Sequence, residues 1–237
     1  MLKNIFKILA IFILGICGGI FADQILWPYF IERPLFYQYR LEQSPVYVTE
    51  KKEITIQENV ALQNAIEKVE KVVVGVNTKT GLGQTLEGSG LIITSDGLLV
   101  TLADLVPQGS TFSFFVDGQA IHFQILKRDL KENLALVKIE KTNLPTVGFG
   151  DLGKIKLGER VFLVGVIQPP NWGWTVNEGI IKSFDAELIE TNIFEKSAIS
   201  GSPLFDIEGN VLGLNEIDKE GQVSAIPITK IREFTGF

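Results

Sequence analysis

From residue 72 onward the chain is cut into short apolar runs, and tight-turn dipeptides make the cuts. Residues 72–76, 90–94, 98–101 and 111–116 each read as a strand, and Asp96-Gly97 and Asp117-Gly118 are the strongest short hairpin signals between them. Further strand-like runs lie at 120–126, 134–139, 160–166, 174–181, 204–207, 211–215 and 223–228, with almost no helical periodicity between them. Many short strands separated by turns point to an all-β barrel or sandwich. A stretch rich in glycine and proline, 143–158, divides the runs into two similar sets, which suits two small barrels packed together.

Composition narrows the chemistry. The chain has 237 residues, 46% hydrophobic and 21% charged, with a net charge of −6. That is ample for a core. An acidic balance with no basic stripe argues against a nucleic-acid partner. A single cysteine, Cys17, excludes an internal disulfide framework and a cysteine-based metal cluster. A single histidine, His122, means that an imidazole stands at one place only.

The amino end is different in kind. Lys3 and Lys7 precede an uncharged apolar run that continues to Ala22, and Asp23 ends it. Counted from Ile5, with Lys7 reaching back to the headgroups, residues 5–22 approach the ~20 residues needed to cross a bilayer. Trp27 and Tyr29 suit the far interface, and the leading lysines place the amino terminus in the cytoplasm and the bulk outside. A cleaved signal peptide competes with this anchor, but Ile20-Phe21-Ala22 makes a poor small-x-small site. Leu14-Gly15-Ile16-Cys17 is similar to a lipoprotein box, yet Ile16 is bulky where a small residue belongs, so Cys17 reads as a small hydrophobe in the helix. From 28 to about 58, prolines and aromatics without a sustained period suggest an extended stalk. Leu62, Ile66 and Val69 then recur at helical spacing and predict a short amphipathic helix over 58–71, docked on the domain after it.

One octapeptide stands out: Ala198-Ile199-Ser200-Gly201-Ser202-Pro203-Leu204-Phe205. Small residues cluster so where backbone turns tightly or something approaches closely. A hydrolase nucleophile needs both, with backbone N–H groups aimed at the reacting oxygen. Upstream, Gly88-Ser89-Gly90-Leu91-Ile92-Ile93-Thr94-Ser95-Asp96-Gly97-Leu98-Leu99-Val100-Thr101 resembles the opening of a trypsin-fold protease of the HtrA (Deg) type. Asn133-Leu134-Ala135-Leu136-Val137-Lys138-Ile139, Gly158-Glu159-Arg160-Val161, Ser200-Gly201-Ser202-Pro203-Leu204-Phe205, Gly209 to Asn215 and Ala225-Ile226-Pro227-Ile228 resemble later blocks of the same family, in the same order. The resemblance implies two packed six-stranded antiparallel β-barrels after an N-terminal transmembrane helix, with the active site in the cleft between the barrels. The expected divisions are 1–27 for the anchor or uncleaved signal, 28–71 for the stalk, 72–150 for the first barrel and 151–237 for the second. HtrA-type proteins usually carry a PDZ domain after the barrels, and a chain ending at Phe237 is expected to have none.

The resemblance also assigns positions in a Ser-His-Asp mechanism. Ser200 holds the nucleophile position. Asp104 holds the position of the base histidine, and Asn133 that of the orienting aspartate. A serine hydroxyl is a poor nucleophile unless a base takes its proton. Asp104 is shorter than histidine, and an ordinary aspartate titrates near ~3.9, too weak for the task. Asn133 carries no charge to stabilise an imidazolium. At the oxyanion hole the family has Gly-Asn before the serine, whereas Ala198 and β-branched Ile199 make the donor-presenting conformation costlier. His122, on a strand beyond a hairpin, is expected on the barrel wall and outside the cleft. Glu195 and Lys196 read as a solvated loop face, with a Ser-Lys dyad as the sharper alternative. Trp172 and Trp174 read as a wedge in a core or interface, or else as an exposed partner-binding pair.

These residues imply a membrane-anchored, envelope-facing protein of the trypsin/HtrA type that has lost hydrolysis and acts on a protein or peptide partner. The alternative is an active serine endopeptidase using Ser200 with a non-standard base, and a third reading is a structural anchor. No cofactor or metal is expected.

Overall fold

The computed structural model describes residues 2–25, 58–168 and 172–237. The chain divides into two compact units, 1–55 and 56–237. In the first, α1 (Leu2–Phe21) is a continuous apolar helix. It continues to Ile25 as a span with mean hydropathy 2.4 that is nowhere buried. Cys17 is a free thiol on its exposed surface. The expected interface residues Trp27 and Tyr29, and the stalk, lie outside the described residues.

The second unit opens with α2 (Glu58–Val69), followed by a 3₁₀ turn over Glu70–Val72. Ala65 and Val69 are buried, and Leu62 and Ile66 pack partly buried against the same core. The predicted amphipathic helix therefore forms, with its apolar stripe turned inward.

Seven strands follow: β1 (Val73–Lys79), β2 (Thr85–Ile92), β3 (Leu98–Leu102), β4 (Thr111–Val116), β5 (Gln119–Ile121), β6 (Phe123–Asp129) and β7 (Leu134–Ile139). They form one antiparallel sheet in the order β5-β4-β1-β2-β3-β7-β6. The two outer strands, β5 and β6, are separated in the chain by His122 alone, so the edges of the sheet meet there. The expected six-stranded barrel is thus a curled seven-strand sheet; β5 and β6 counted as one bent strand give six. His122 sits at the bend, exposed, and its carbonyl accepts the Glu140 N–H at 2.9 Å.

The remaining six strands close into a barrel: β8 (Arg160–Ile167), β9 (Gly173–Phe184), β10 (Ile189–Phe194), β11 (Pro203–Asp206), β12 (Val211–Ile217) and β13 (Gln222–Pro227), in the order β10-β13-β12-β11-β8-β9. β10 is not among the strand-like runs expected from the sequence, although Ile189, Thr191 and Ile193 alternate inward against outward Glu190, Asn192 and Phe194. Nor was α3 (Ile228–Thr235) expected; it starts on Pro227 and ends where Gly236 adopts φ 84° and its N–H reaches the Arg232 carbonyl. Ile228, Ile231 and Phe234 form the buried face of α3.

The two sheets share a core through β1, β2 and β8. Val74, Val76 and Leu91 of the first belong to one apolar cluster with Phe162, Val164, Val166 and Phe205 of the second. Ser89 Oγ accepts the Val166 N–H at 3.0 Å, and Gln168 Nε2 donates to the Gly88 carbonyl at 3.2 Å. Trp172 lies 6.2 Å from Phe115 and 6.3 Å from Trp174, ring centre to ring centre, and both tryptophans are half-buried. They form a wedge between the sheets.

Candidate active site

The loop after β10 runs through a 3₁₀ turn, Ser197–Ile199, into Ser200 and then β11. Gly201 has φ 78°, and a β-carbon on it would collide with the Ser89 carbonyl oxygen. Across the contact, a β-carbon on Gly88 would stand 2.7 Å from the Ser200 carbonyl oxygen. Glycine at both positions lets this loop lie directly on β2, where the Ser89 N–H donates to the Ser200 carbonyl at 2.8 Å. From the other side, Asn215 on β12 accepts the Gly201 N–H at 2.8 Å through its carbonyl and donates Nδ2 to Ser202 Oγ at 3.1 Å.

Ser200 is half-buried at the wall of a cleft of about 430 Å³. The cleft is also lined by Ala198, Asp104, Asn133 and Glu216, with Glu87 and Ser197 at its sides. Its donors matter more than its shape. The Ser200 N–H is bonded to the Ser197 carbonyl at 3.0 Å, and the Ile199 N–H to the Lys196 carbonyl at 3.2 Å. An oxyanion hole at this loop needs the amide of the serine itself as one of two donors aimed at the reacting oxygen. Here that amide closes the 3₁₀ turn. Ile199 pins the turn, for its side chain is buried and fills the space that Gly165 leaves open; a β-carbon on Gly165 would stand 2.7 Å from the Ile199 β-carbon. Ile199 thus gives the loop an apolar anchor in the second barrel.

The opposite wall comes from the first sheet. After β3 the chain makes a 3₁₀ turn over Ala103–Leu105 that leaves Asp104 exposed. The turn before β7 is built on Asp129, whose carboxylate accepts the Lys131 and Glu132 N–H groups at 2.9 and 3.1 Å. Those bonds hold its carboxyl below the ordinary aspartate range. The turn ends at Asn133 in the left-handed region, φ 52°, a conformation asparagine tolerates better than most residues. The Asn133 carbonyl accepts the Ala103 N–H at 3.0 Å, and its Oδ1 accepts the Asp104 N–H at 3.0 Å. Its Nδ2 donates to Glu216 Oε1 at 2.7 Å. Asn133 thus ties the Asp104 turn to β12 across the cleft.

The other titratable candidates lie elsewhere. His122 and Lys196 are exposed, and neither lines the cleft. Glu195 is engaged with Asn177 at 2.8 Å. The charged groups lining the cleft, Glu87, Asp104 and Glu216, are all acidic. Among the described residues, no three His, Cys, Asp or Glu side chains gather as a metal site. Such a cleft presents polar and acidic groups, and no imidazole, beside Ser200. Glu216 was missed in the sequence, although a strand's alternation carried the signal: with Asn215 turned inward, Glu216 must face the other way.

Comparison with known proteins agrees with the fold. The profile described as "Trypsin-like peptidase domain" matches residues 88–214, more than half of the chain. A Halomonas elongata protein named "Probable periplasmic serine endoprotease DegP-like" is 31% identical over 137 residues, covering 54% of this chain and 28% of that protein. "Serine protease HTRA1" of Xenopus laevis is 32% identical over 162 residues, covering 62% of this chain and 35% of that one. The matched stretch therefore spans only about a third of these relatives. The solved structure of the HtrA-type protease AlgW with tripeptide superposes with a TM-score of 0.65 at 26% identity, over 74% of this chain and 62% of that chain. The serine endoprotease from Yersinia pestis, at 24% identity and a TM-score of 0.66, shares the fold. With a closed six-stranded barrel, a curled partner sheet and Ser200 in the cleft, the chain belongs to the family of the trypsin-like peptidase domain.

Proposed function

We propose that this protein is a membrane-anchored pseudoprotease: a trypsin-fold body that holds a protein or peptide in its cleft without cutting it. The observation that carries this reading is the hydrogen bonding of the three family positions. Asn133 is committed to Asp104 and Glu216, and the Ser200 amide to Ser197. The residue at the orienter position and one oxyanion donor are diverted to structural bonds, and the base position holds an exposed carboxylate in place of an imidazole. A site lacking a triad member retains on the order of 10³–10⁴-fold over water when its oxyanion hole is intact; here the hole is closed as well. The apolar helix α1 anchors the body, with the amino terminus on the cytoplasmic side and the barrels outside, in keeping with the periplasmic naming of the relatives. Incubation of the purified protein with a fluorophosphonate probe and with an unfolded protein substrate tests the reading. Neither labelling nor cleavage above the level of Ser200→Ala is expected.

A second reading keeps the reaction: Ser200 attacks with a carboxylate as base. Its support is the half-buried Ser200 on a cleft lined by Glu87, Asp104 and Glu216. Labelling that Ser200→Ala abolishes and Asp104→Asn or Glu216→Gln reduces would favour it.

A further inference from the structure

We infer that Glu216 is what fixes an asparagine at position 133, the two forming a polarity-matched latch between the barrels that a carboxylate at 133 would break. The Asn133 carboxamide sits between a donor and an acceptor. On one side is the Asp104 N–H, 3.0 Å from Oδ1; on the other is Glu216 Oε1, 2.7 Å from Nδ2. Only one orientation of the amide satisfies both. An aspartate at 133 offers acceptors alone: it keeps the Asp104 N–H but sets a second carboxylate against Glu216 where an N–H now lies. Two carboxylates at that range cannot both ionise without strain.

Neither wall can back away. The Asn133 carbonyl holds the Ala103 N–H at 3.0 Å, and Glu132 beside it is bound by Lys230 at 2.7 Å. Glu216 lies in the β12–β13 ladder opposite Ser224. The other charges lining the cleft, Glu87 and Asp104, are acidic and deepen the conflict. An orienting aspartate and Glu216 therefore exclude each other.

A thermodynamic cycle on the full-length chain in detergent tests this without reference to Ser200 chemistry, so its outcome is separable from that of the probe experiment. The variants are Asn133→Asp, Glu216→Gln and the double variant. The double variant reverses the polarity: the new amide on β12 donates to the new carboxylate at 133, which still accepts the Asp104 N–H. Asn133→Asp should lower Tm by on the order of 5 °C in the native background and by much less in the Glu216→Gln background. A single variant that fails to fold beside a double variant that folds gives the same support. Equal losses in both backgrounds, no loss in either, or failure of both to fold overturns the inference.

Discussion

Gly201 and Gly158 adopt nearly the same backbone, φ 78° and 80°, in different surroundings. A β-carbon on Gly158 meets open space, while one on Gly201 meets the Ser89 carbonyl and Leu105. Gly158→Ala should cost about 1 kcal/mol for the left-handed conformation alone. Gly201→Ala should cost roughly 2–4 kcal/mol by adding the collision, read as a urea midpoint at unchanged slope. Equal losses would mean that the Ser200 loop does not depend on its close seat against β2. At this scale the sequence spoke through backbone demands: the small residues around Ser200 announced a tight approach. What it could not announce was the internal use of the Ser200 amide, because a 3₁₀ turn at Ser197–Ile199 depends on where Ile199 finds room, and that room is Gly165, distant in the chain.

Elements hold the two walls of the cleft in register. Val69 of α2 is fully buried, with its side chain against Gly209. Val69→Ala should cost about 2 kcal/mol and raise the rate of proteolysis at α2 before the barrels open. At the other end, Lys230 of α3 binds Glu132 of the first sheet at 2.7 Å and also Glu187 of the second. These bonds raise the lysine above its ordinary range and lower Glu132 below its own. Asp96, held by Lys138, and Asp151 and Asp185, held by backbone N–H groups, are lowered too.

A carboxyl with a lowered folded-state pKa contributes stability that is present above the ordinary carboxylate range and is lost as pH falls through the lowered value. A lysine with a raised value contributes stability that is present below its ordinary range and is lost as pH rises through the raised value. Stability should therefore fall below about pH 4. Lys230→Met should be less stable at neutral pH yet converge with the native protein in acid, where Glu132 and Glu187 lose their charge. A constant deficit down to pH 2 would mean that Lys230 acts through packing alone. Most strands were legible as short apolar runs, and Asp96-Gly97 and Asp117-Gly118 mark the turns after β2 and β4. β10 was not, since its alternation is spread over Ile, Thr and Ile and no Asp-Gly or Asn-Gly precedes it; α3 is too short for periodicity to separate it from the strand before it.

At the scale of the molecule, the described residues comprise a barrel body and one long apolar helix. Membranes washed in alkaline carbonate should retain the full-length chain and release a chain lacking residues 1–25; recovery of a soluble protein shortened at its amino end would instead identify a signal sequence. The two-barrel plan was readable from turn spacing and family blocks, but the bend at His122 that joins the two outer strands of the curled first sheet was not, because a bend within one apparent strand leaves no break in the hydrophobic pattern. The proposed pseudoprotease reading stands or falls in the cleft between the sheets. Its most direct test is fluorophosphonate labelling of the purified 1–237 chain beside Ser200→Ala. The expected result is background labelling in both. Stoichiometric labelling of the native chain that disappears in Ser200→Ala would contradict it.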